Sequence, residues 1–474
     1  MFKRLSLLCC AIAIAIAGII FVKFFNPHNK NTKLVKVYQA ESAILKGGNV
    51  SREVSGYSGK GYVTNLTSPD ASLTFKINVP SSSTYNLNLR YRIPKGSGAK
   101  RTKIILNGQP FREIFLTEKN NFEETANKKI SLNKGVNIIK IVSDWGYYDI
   151  DSLKVSAISK DNNSRIKENL VNINATRETK NLMKFLVENY GRKIISGQQN
   201  MEDVEWLNKT IARKPALVGF DFSNYSTVPS NHGVKSHEVE DAIKWHNNGG
   251  IVTFSWHWIA PAHQIQWKKG FDRKFTDFDI NYAMNNPKSE DYQLLLKDID
   301  KIAFQLKKLQ AANVPILFRP LHEAEGGWFW WGAGDPNSTK KLYILLYDRI
   351  TNYHHINNII WVWNSSSPKW YPGDKYVDIV SYDYYPGSKD YTTASIQYDR
   401  LNSLVNENKL VTLSENGSIP DPDLLEKYKI SWSWFLTWKG FLQAKNQNDI
   451  EHITKVYSSP YVITLDELPD FSHK

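Results

Sequence analysis

Residues 315–323, PILFRPLHE, form a short apolar run that ends in charged and polar side chains. Seven further runs show the same pattern, at 193–200, 216–222, 250–258, 358–364, 378–385, 410–416 and 432–438. Helix-like segments such as 236–248 and 291–313 separate them. Eight buried strands that alternate with helices predict a (β/α)8 TIM barrel over residues 175–474. A doubly wound open sheet is the competing architecture, but the first run lacks a following glycine-rich nucleotide loop.

The residues before the barrel follow a different rhythm. Between 35 and 156, short runs of alternating polar and apolar residues are separated by turn-forming residues, as at 71–79, 85–93, 102–108 and 137–151. A period of two at this spacing predicts an antiparallel β-sandwich. Residues 157–174 turn polar and lose the alternation, so we assign them to a linker.

The first 25 residues resemble an export segment. Lys3 and Arg4 precede an apolar run over residues 5–22, which indicates a secretory signal peptide or an uncleaved membrane anchor. We therefore expect a secreted protein, or one anchored outside the cell. Both cysteines, Cys9 and Cys10, lie in this run, so the rest of the chain has no thiol chemistry, disulfide or cysteine zinc site.

Composition narrows the class of partner. The chain carries a formal net charge of +13, but its lysines are spread without a basic block or a nucleic-acid-binding motif. This pattern favours a solvated basic surface and no nucleic-acid partner. Aromatic residues make up 13% of the chain, with 15 Trp and 24 Tyr, and such rings can stack on sugars as well as fill a core. We expect a monomer.

Polar side chains gather where the predicted barrel strands end. They are Asp221, His257, His322, Glu323, Asn364, Tyr384 and Glu415. The carboxyl ends of all barrel strands open on one face, which is where active sites of this architecture lie. Residues far apart in sequence are therefore expected to become neighbours.

Two of these residues, Glu323 and Glu415, match the needs of glycoside hydrolysis. One carboxyl group gives a proton to the leaving oxygen and the other acts at the anomeric carbon. A separation of about 5–5.5 Å would imply retention of configuration and about 6.5–9.5 Å inversion, which sequence alone leaves open. Glu325 falls in the loop beyond the strand and is interpreted as a loop-fixing or subsite residue.

Several neighbours are expected to support this pair. Tyr384 would orient Glu415 through its hydroxyl group, and Arg319, facing inward, would steady a carboxylate such as Glu415. His322 is expected to be a ligand or a hydrogen-bonding neighbour, because strand alternation turns it away from the direction of Glu323. Trp328 lies in the loop GGWFWWG at 326–332, of which at least one tryptophan is expected to stack on a sugar. No spaced histidine pair indicates a catalytic zinc.

The motifs FRPLHEAEGGWFWWG (318–332) and VTLSENG (411–417) resemble those of glycoside hydrolase family 26, over most of residues 175–470. The resemblance implies a retaining endo-β-1,4-mannanase that acts on mannan, glucomannan or galactomannan without a catalytic cofactor. It implies that Glu323 is the acid/base and Glu415 the nucleophile. It also implies that residues around the sugar at the cleavage point are His257, His322, Trp328, Tyr384 and Trp438.

The front domain resembles a carbohydrate-binding module of family 35, through QAESA (39–43), GYSGKGYV (56–63), DASLTFKINVPSSSTYNLNLRY (70–91) and NIIKIVSDWGYYDID (137–151). The resemblance implies a structural calcium bound by Gln39, Glu41 and Asp151, whose oxygen ligands suit that ion. Trp145 is the candidate for stacking on a sugar, with a core tryptophan as the alternative.

Two alternatives to a mannanase remain at this point. The same family includes enzymes that act on mixed-linkage β-glucan or β-1,3-xylan, so the preferred glycan is open. A non-catalytic glycan-binding protein of the cell surface could keep the same fold. The presence of both glutamates favours an enzyme.

Overall fold

The computed structural model describes residues 35–158, 166–444 and 446–471, and within them not the side chain of Trp145. The predicted export segment, residues 1–25, lies outside the described residues. No helix in the described ranges is both long enough and apolar enough to span a bilayer.

The front domain is built from twelve strands. In chain order these are β1 Val35–Gln39, β2 Ile44–Lys46, β3 Asn49–Ser51, β4 Tyr62–Thr64, β5 Ser72–Val79, β6 Ser83–Ile93, β7 Lys100–Leu106, β8 Gln109–Leu116, β9 Lys119–Glu124, β10 Lys128–Leu132, β11 Gly135–Trp145 and β12 Asp149–Ala157. One sheet contains β10, β6, β12, β4 and β3 with β1 and β9 attached, and the other has the order β2, β5, β11, β7, β8.

Alternation places one face of each sheet in the core. In β5, for example, Leu73, Phe75, Ile77 and Val79 are buried, while Lys76 and Asn78 are exposed. These residues contribute to a hydrophobic cluster between the two sheets. The strand pairs are antiparallel, so the predicted β-sandwich is confirmed.

The second domain contains parallel strands, and all of them except β21 lie within the predicted apolar runs. They are β13 Ile194–Ile195, β14 Gly197–Gln198, β15 Leu217–Asp221, β16 Ile251–Ser255, β17 Ile316–Arg319, β18 Ile359–Asn364, β19 Ile379–Tyr384, β20 Leu410–Asn416 and β21 Val462–Ile463. Strands β14 to β20 form one sheet in sequence order.

Residues 432–438 close this sheet into a barrel. Thr437 bridges to both Asn416 and Gln198, and Trp434 bridges to Ile195, all in parallel orientation. The predicted eighth strand thus joins β20 to β14, the two edge strands of the sheet. It is held by isolated bridges and not by a continuous ladder. The TIM barrel is confirmed.

Helices surround the barrel. They are α1 Arg177–Asn189, α2 Met201–Ile211, α3 Thr227–Asn231, α4 Glu238–Asn247, α5 Ile280–Asn285, α6 Glu290–Ala311, α7 Pro336–Tyr347, α8 Ser395–Leu404, α9 Pro422–Tyr428 and α10 Ile450–Ser458. Many of these helices begin after a residue whose side chain caps the first turn. At the start of α6, for example, the Ser289 hydroxyl accepts a hydrogen bond from the backbone N–H of Tyr292. Helix α6 buries Leu295, Ile299, Ile302 and Leu306, at the spacing of one helical face.

Candidate active site

Three carboxyl groups meet at the carboxyl ends of the barrel strands. Glu415 lies in β20, Asp383 in β19, and Glu323 just beyond β17. One oxygen from each lies within 4.8 Å of the other two. The two predicted glutamates are therefore neighbours, and Asp383 is a third acid that the sequence interpretation did not include.

The strand that leads to Glu323 ends earlier than predicted. Strand β17 stops at Arg319, and Pro320 follows, which has no backbone N–H to continue the ladder. Leu321 and Glu323 then adopt left-handed backbone conformations, with φ of 52° and 53°. The N–H of Glu323 donates to Oδ1 of Asn364 at 2.6 Å, which fixes this turn. Its geometry, and not strand alternation, separates the directions of His322 and Glu323.

Glu415 is buried, and each of its two carboxylate oxygens accepts a hydrogen bond from a different side chain. Arg319 Nη2 donates to Oε1, which is the contact expected from the inward position of this arginine. The Tyr385 hydroxyl donates to Oε2 at 2.5 Å. A cationic donor and a phenolic donor both stabilise the negative charge of the carboxylate and fix its orientation.

The tyrosine prediction was wrong by one residue. Tyr385, and not Tyr384, contacts Glu415, while the Tyr384 hydroxyl interacts with Thr392. Successive residues at a strand end point to opposite sides, and Asp383 already faces the barrel interior. Tyr385 therefore shares the side of Asp383, and Tyr384 points away from it.

Asp383 is bound on both oxygens. Arg319 Nη1 donates to Oδ2 at 2.7 Å, and Asn364 Nδ2 and Ser414 Oγ donate to Oδ1 at 3.0 and 2.7 Å. Burial, together with the charges of Glu415 and Glu323, raises the pKa of Asp383 well above its usual value, against the opposing effect of Arg319. Its place at the end of the run 378–385 was the signal that could have identified it.

Glu323 has the environment of a proton donor. Its side chain is partly buried, and Oε2 accepts a hydrogen bond from Trp328 Nε1 at 2.6 Å. Burial raises the pKa of Glu323, and the negative charge of Glu415 adds to that effect. A carboxyl group with a raised pKa keeps its proton closer to neutral pH, as a general acid requires.

The aromatic residues of the loop 326–332 divide into two groups. Trp328 is 48% exposed and lies beside Glu323, so its ring is available to a ligand. Trp330 and Trp331 are fully buried, and their indole N–H groups donate to the carbonyl oxygens of Trp258 and His322 at 2.6 and 2.9 Å. The buried tryptophans hold the loop that presents Trp328.

The two predicted histidines form a chain with Asp221. His257 Nδ1 lies 2.5 Å from Asp221 Oδ2, and its Nε2 lies 3.2 Å from Nε2 of His322. Burial lowers the pKa of His257, but the charge and hydrogen bond of Asp221 outweigh it, so the pKa is raised. Burial and the positive charges of His257 and Arg319 hold the pKa of His322 well below its usual value. These opposite shifts favour a hydrogen bond in which His257 Nε2 donates to His322 Nε2.

Trp438 borders the same site, at the end of the closing segment. Its ring centroid lies 5.5 Å from that of His257, and its backbone N–H donates to the Asn416 carbonyl oxygen. The structure therefore brings together Glu323, Glu415, His257, His322, Trp328 and Trp438. Of the predicted sugar-contacting residues of the barrel, Tyr384 is the one that turns away from Glu415.

The predicted calcium ligands of the front domain converge on the loop around Ser58 and Gly59. The Ser58 hydroxyl oxygen lies 3.0 Å from Gln39 Oε1 and 2.8 Å from Asp151 Oδ2, and its single hydrogen is shared between these two acceptors. The Lys60 N–H donates to Glu41 Oε1 at 2.7 Å, and Glu41 Oε2 is buried without a hydrogen-bond partner in the described ranges. Asp151 also forms an ion pair with Arg90 at 2.5 Å. The side chain of Trp145 lies outside the described part of the structure.

Comparisons with known proteins agree with this architecture. The model of Glycosyl hydrolase family 26 matches residues 171–467, and that of Carbohydrate binding module (family 35) matches residues 36–158. The chain is 41% identical over 437 residues to a mannan endo-1,4-beta-mannosidase of Thermothelomyces thermophilus, covering 91% of this chain and 90% of the relative. It is 34% identical over 457 residues to mannan endo-1,4-beta-mannosidase A of Piromyces sp, covering 92% and 73%.

Two solved structures share the two-domain architecture. The GH26-CBM35 beta-(1,4)-mannanase of Podospora anserina aligns with a TM-score of 0.66 at 42% identity, covering 92% of this chain and 99% of that one. A ruminal GH26 endo-beta-1,4-mannanase aligns with a TM-score of 0.74 at 27% identity, with the same coverage.

Proposed function

The chain belongs to glycosyl hydrolase family 26, and from this premise we propose that it is an endo-β-1,4-mannanase that retains anomeric configuration. The observation that carries the proposal is the pairing of Glu323 with Glu415, which have side-chain oxygens within 4.8 Å of each other. So close an approach of one oxygen from each group is compatible with the carboxyl separation of about 5–5.5 Å used for retention, and it favours that over the separation of about 6.5–9.5 Å used for inversion.

The two carboxyl groups have different environments, and this supports different roles. Glu323, with its raised pKa, donates a proton to the glycosidic oxygen as the bond to the leaving sugar breaks. Glu415, held by Arg319 and Tyr385, attacks the anomeric carbon and forms a glycosyl-enzyme ester. Glu323 then removes a proton from water, which hydrolyses the ester and restores both groups. No cofactor enters these steps.

The relatives favour mannan as the substrate. The proteins of Thermothelomyces thermophilus and Piromyces sp are both named mannan endo-1,4-beta-mannosidases. We therefore propose plant-type β-mannan, either as mannan, glucomannan or galactomannan, and a front domain that keeps the enzyme on that polysaccharide. The exposed ring of Trp328 beside Glu323 is suited to stacking on a sugar face.

Purified enzyme tests the proposal directly. It is incubated with galactomannan, glucomannan, mixed-linkage β-glucan and β-1,3-xylan, and reducing sugar is measured. Release from the mannans is expected, and NMR of fresh product should show the β-anomer first. Activity on glucan or xylan alone would contradict the proposed substrate. An initial α-anomer would contradict the retaining mechanism, and no activity on any substrate would overturn the proposed function.

We also propose a structural calcium in the front domain. Gln39 and Glu41 supply side-chain oxygens that face Gly59, where an added Cβ would lie 2.9 Å from Gln39 Oε1. The unpartnered, buried oxygen of Glu41 is the group that a cation would satisfy. Asp151 shares its charge with Arg90, so Gln39 and Glu41 are the better supported ligands. The ion would join β1 and its following turn to the loop around Gly59.

For location, we propose export from the cell, on the strength of residues 1–25 alone. N-terminal sequencing of protein recovered from culture medium tests it, and recovery only from the cytosol would contradict it. We propose a monomer in solution, which sedimentation would check.

A further inference from the structure

The front domain is fixed against the barrel by a buried ionic contact. Asp399 of α8 accepts from Arg112 Nη2 at 2.7 Å and lies 3.0 Å from Lys128 Nζ, and all three side chains are buried. Nearby, the Tyr428 hydroxyl donates to the Pro110 carbonyl, and the Phe111 and Tyr428 rings meet edge to face. The two domains therefore present a defined joint surface.

A groove of about 950 Å³ lies beside this contact, between the two domains. We call it the interdomain groove. From the front domain it is lined by Phe115, Thr117 and Lys119, among others, and from the barrel by Glu325, Ser366 and Ser403. Its volume is within the range of about 300–1,000 Å³ that is typical of small-ligand sites, so a short stretch of sugar chain fits.

The groove begins at the loop that carries the acid/base. Glu325 is two residues after Glu323, and the intervening turn is closed by the hydrogen bond from the Gly326 N–H to the Glu323 carbonyl oxygen at 2.9 Å. The Glu325 carboxylate turns toward the groove wall, where it accepts from the N–H and hydroxyl of Ser366, both at 3.3 Å. Glu325 thus links the catalytic loop to the groove.

The lining suits a neutral polyol. Five carboxylates face three cationic side chains along it, so the groove does not favour an anionic ligand. The carboxylates are Glu118, Glu124, Glu325, Asp399 and Glu407, and the cations are Lys119, Lys128 and Arg400. Hydroxyl groups of Thr117, Ser366, Ser367 and Ser403 are interspersed. Such a mixture can both donate to and accept from sugar hydroxyls.

Arg400 and Phe115 form the flat part of the lining. The guanidinium carbon lies 3.8 Å from the centre of the Phe115 ring, across the domain boundary. Arg400 Nε is buried and has no hydrogen-bond partner among the residues that the structure describes. The groove thus contains a flat guanidinium–aromatic surface to which both domains contribute.

We propose that the interdomain groove binds the β-glycan chain beyond the sugars held at Glu323 and Glu415, so that the front domain supplies one wall of an extended substrate cleft. The inference rests on the proposed function. It gives the front domain a direct part in binding the chain under attack, in addition to holding the enzyme on the polysaccharide.

The test is to block the groove without touching the catalytic groups. Thr117 and Ser403 are exposed and lie on opposite walls, so Thr117→Trp and Ser403→Trp fill the groove from either domain with little risk to folding. Thr210→Trp, at an exposed position of α2, is the matched control. Soluble substrates are used, because attachment to insoluble polysaccharide would otherwise contribute to the rate.

For both groove variants, kcat/KM on mannohexaose should fall about tenfold, equivalent to about 1.4 kcal/mol of binding, while hydrolysis of mannotriose stays unchanged. The control should match the wild type on both. Unchanged mannohexaose kinetics in both variants, or an equal loss on the two substrates, would overturn the groove proposal. Inactivity of the wild-type enzyme on mannan would instead overturn the proposed function.

Discussion

The Tyr385 hydroxyl lies 2.5 Å from Oε2 of Glu415, while Arg319 binds Oε1 of the same carboxylate. Each oxygen of Glu415 therefore has its own donor, one neutral and one cationic. A hydrogen bond to a carboxylate stabilises its charge but also reduces its nucleophilicity. The neutral phenol is the weaker of the two donors, so Oε2 is the oxygen that we expect to attack the anomeric carbon.

Removal of the Tyr385 hydroxyl should slow catalysis more than removal of the neighbouring one, because the loss of charge stabilisation and orientation of Glu415 outweighs the gain in nucleophilicity. A hydrogen bond to a charged group contributes about 1.5–3 kcal/mol, so Tyr385→Phe should lower kcat about 10- to 100-fold. Tyr384→Phe, whose hydroxyl interacts with Thr392, is the matched control and should stay near the wild-type rate. Steady-state kinetics on mannohexaose measure both, and a larger loss in Tyr384→Phe would contradict the structural assignment.

A variant that lacks the Glu323 carboxyl group should regain activity on a substrate that needs no general acid, when a nucleophile that needs no general base is added. In Glu323→Ala, hydrolysis of mannan should be almost lost, whereas an aryl β-mannoside with a good leaving group should still form the glycosyl-enzyme. Azide is small enough to enter the space left by the side chain and needs no general base, so it should restore turnover and give a β-mannosyl azide. Identification of the product by NMR decides it, since an α-azide or no rescue would remove Glu323 from the acid/base role.

Trp328 should tune the pH range of activity. Its indole N–H bonds to the ionised form of Glu323 and so lowers the pKa of that group, against burial and Glu415, which raise it. In Trp328→Phe the pKa of Glu323 should therefore rise further. Activity requires protonated Glu323 and is lost as pH increases through its pKa, so the alkaline limb of kcat/KM should move to higher pH. A pH–rate profile checks this, and a shift to lower pH would oppose it.

Much of the fold could be predicted from the sequence, because the buried strands are short apolar runs. The runs at 358–364, 378–385 and 410–416 became β18, β19 and β20 within a residue or two. The joining of the two domains could not be predicted, since Arg112 and Asp399 are 287 residues apart and each looks like an ordinary surface charge in sequence.

The residues of the candidate site were predicted from one signal, their position at the carboxyl end of an apolar run. That position identified Glu323 and Glu415, which the structure places together, but it could not distinguish Tyr384 from Tyr385. Their directions follow from Asp383, which faces the barrel interior and so places Tyr385, and not Tyr384, on the same side. Likewise, the left-handed turn at Glu323 depends on Asn364, which follows 41 residues later.

Calcium should stabilise the front domain through Glu41. Added Ca²⁺ should raise the midpoint of thermal unfolding of the wild type, because an ion that binds only the folded state stabilises it by mass action. Glu41→Gln should remove most of this response, since it replaces the charged ligand by a neutral one. Calorimetry with and without a chelator measures the effect, and Asp70→Asn, at an exposed acid of the same domain, is the control. Equal responses in all three proteins would argue against the site.

The buried contact between the domains should be costly to break on one side only. Asp399→Ala leaves Arg112 and Lys128 buried beside each other without their shared anion, a kind of change that costs about 3–5 kcal/mol. Burial and the charge of Arg112 already lower the pKa of Lys128 despite Asp399, so its removal should lower that pKa further. Denaturant unfolding should be followed for the front domain and for the barrel. The free energy of unfolding should fall in Asp399→Ala for the transition that separates the two domains.

Two controls identify the cause of that loss. The triple variant Arg112→Met, Lys128→Met, Asp399→Leu removes all three charges and should recover most of the stability, because apolar side chains of similar size need no partner. Asp241→Ala breaks the exposed pair with Lys244 and should cost only about 0–1 kcal/mol. If Asp399→Ala were no more damaging than Asp241→Ala, the two domains would not be held by this contact. The walls of the interdomain groove would then depend on the other contacts across the boundary, such as Tyr428 with Pro110 and Phe111.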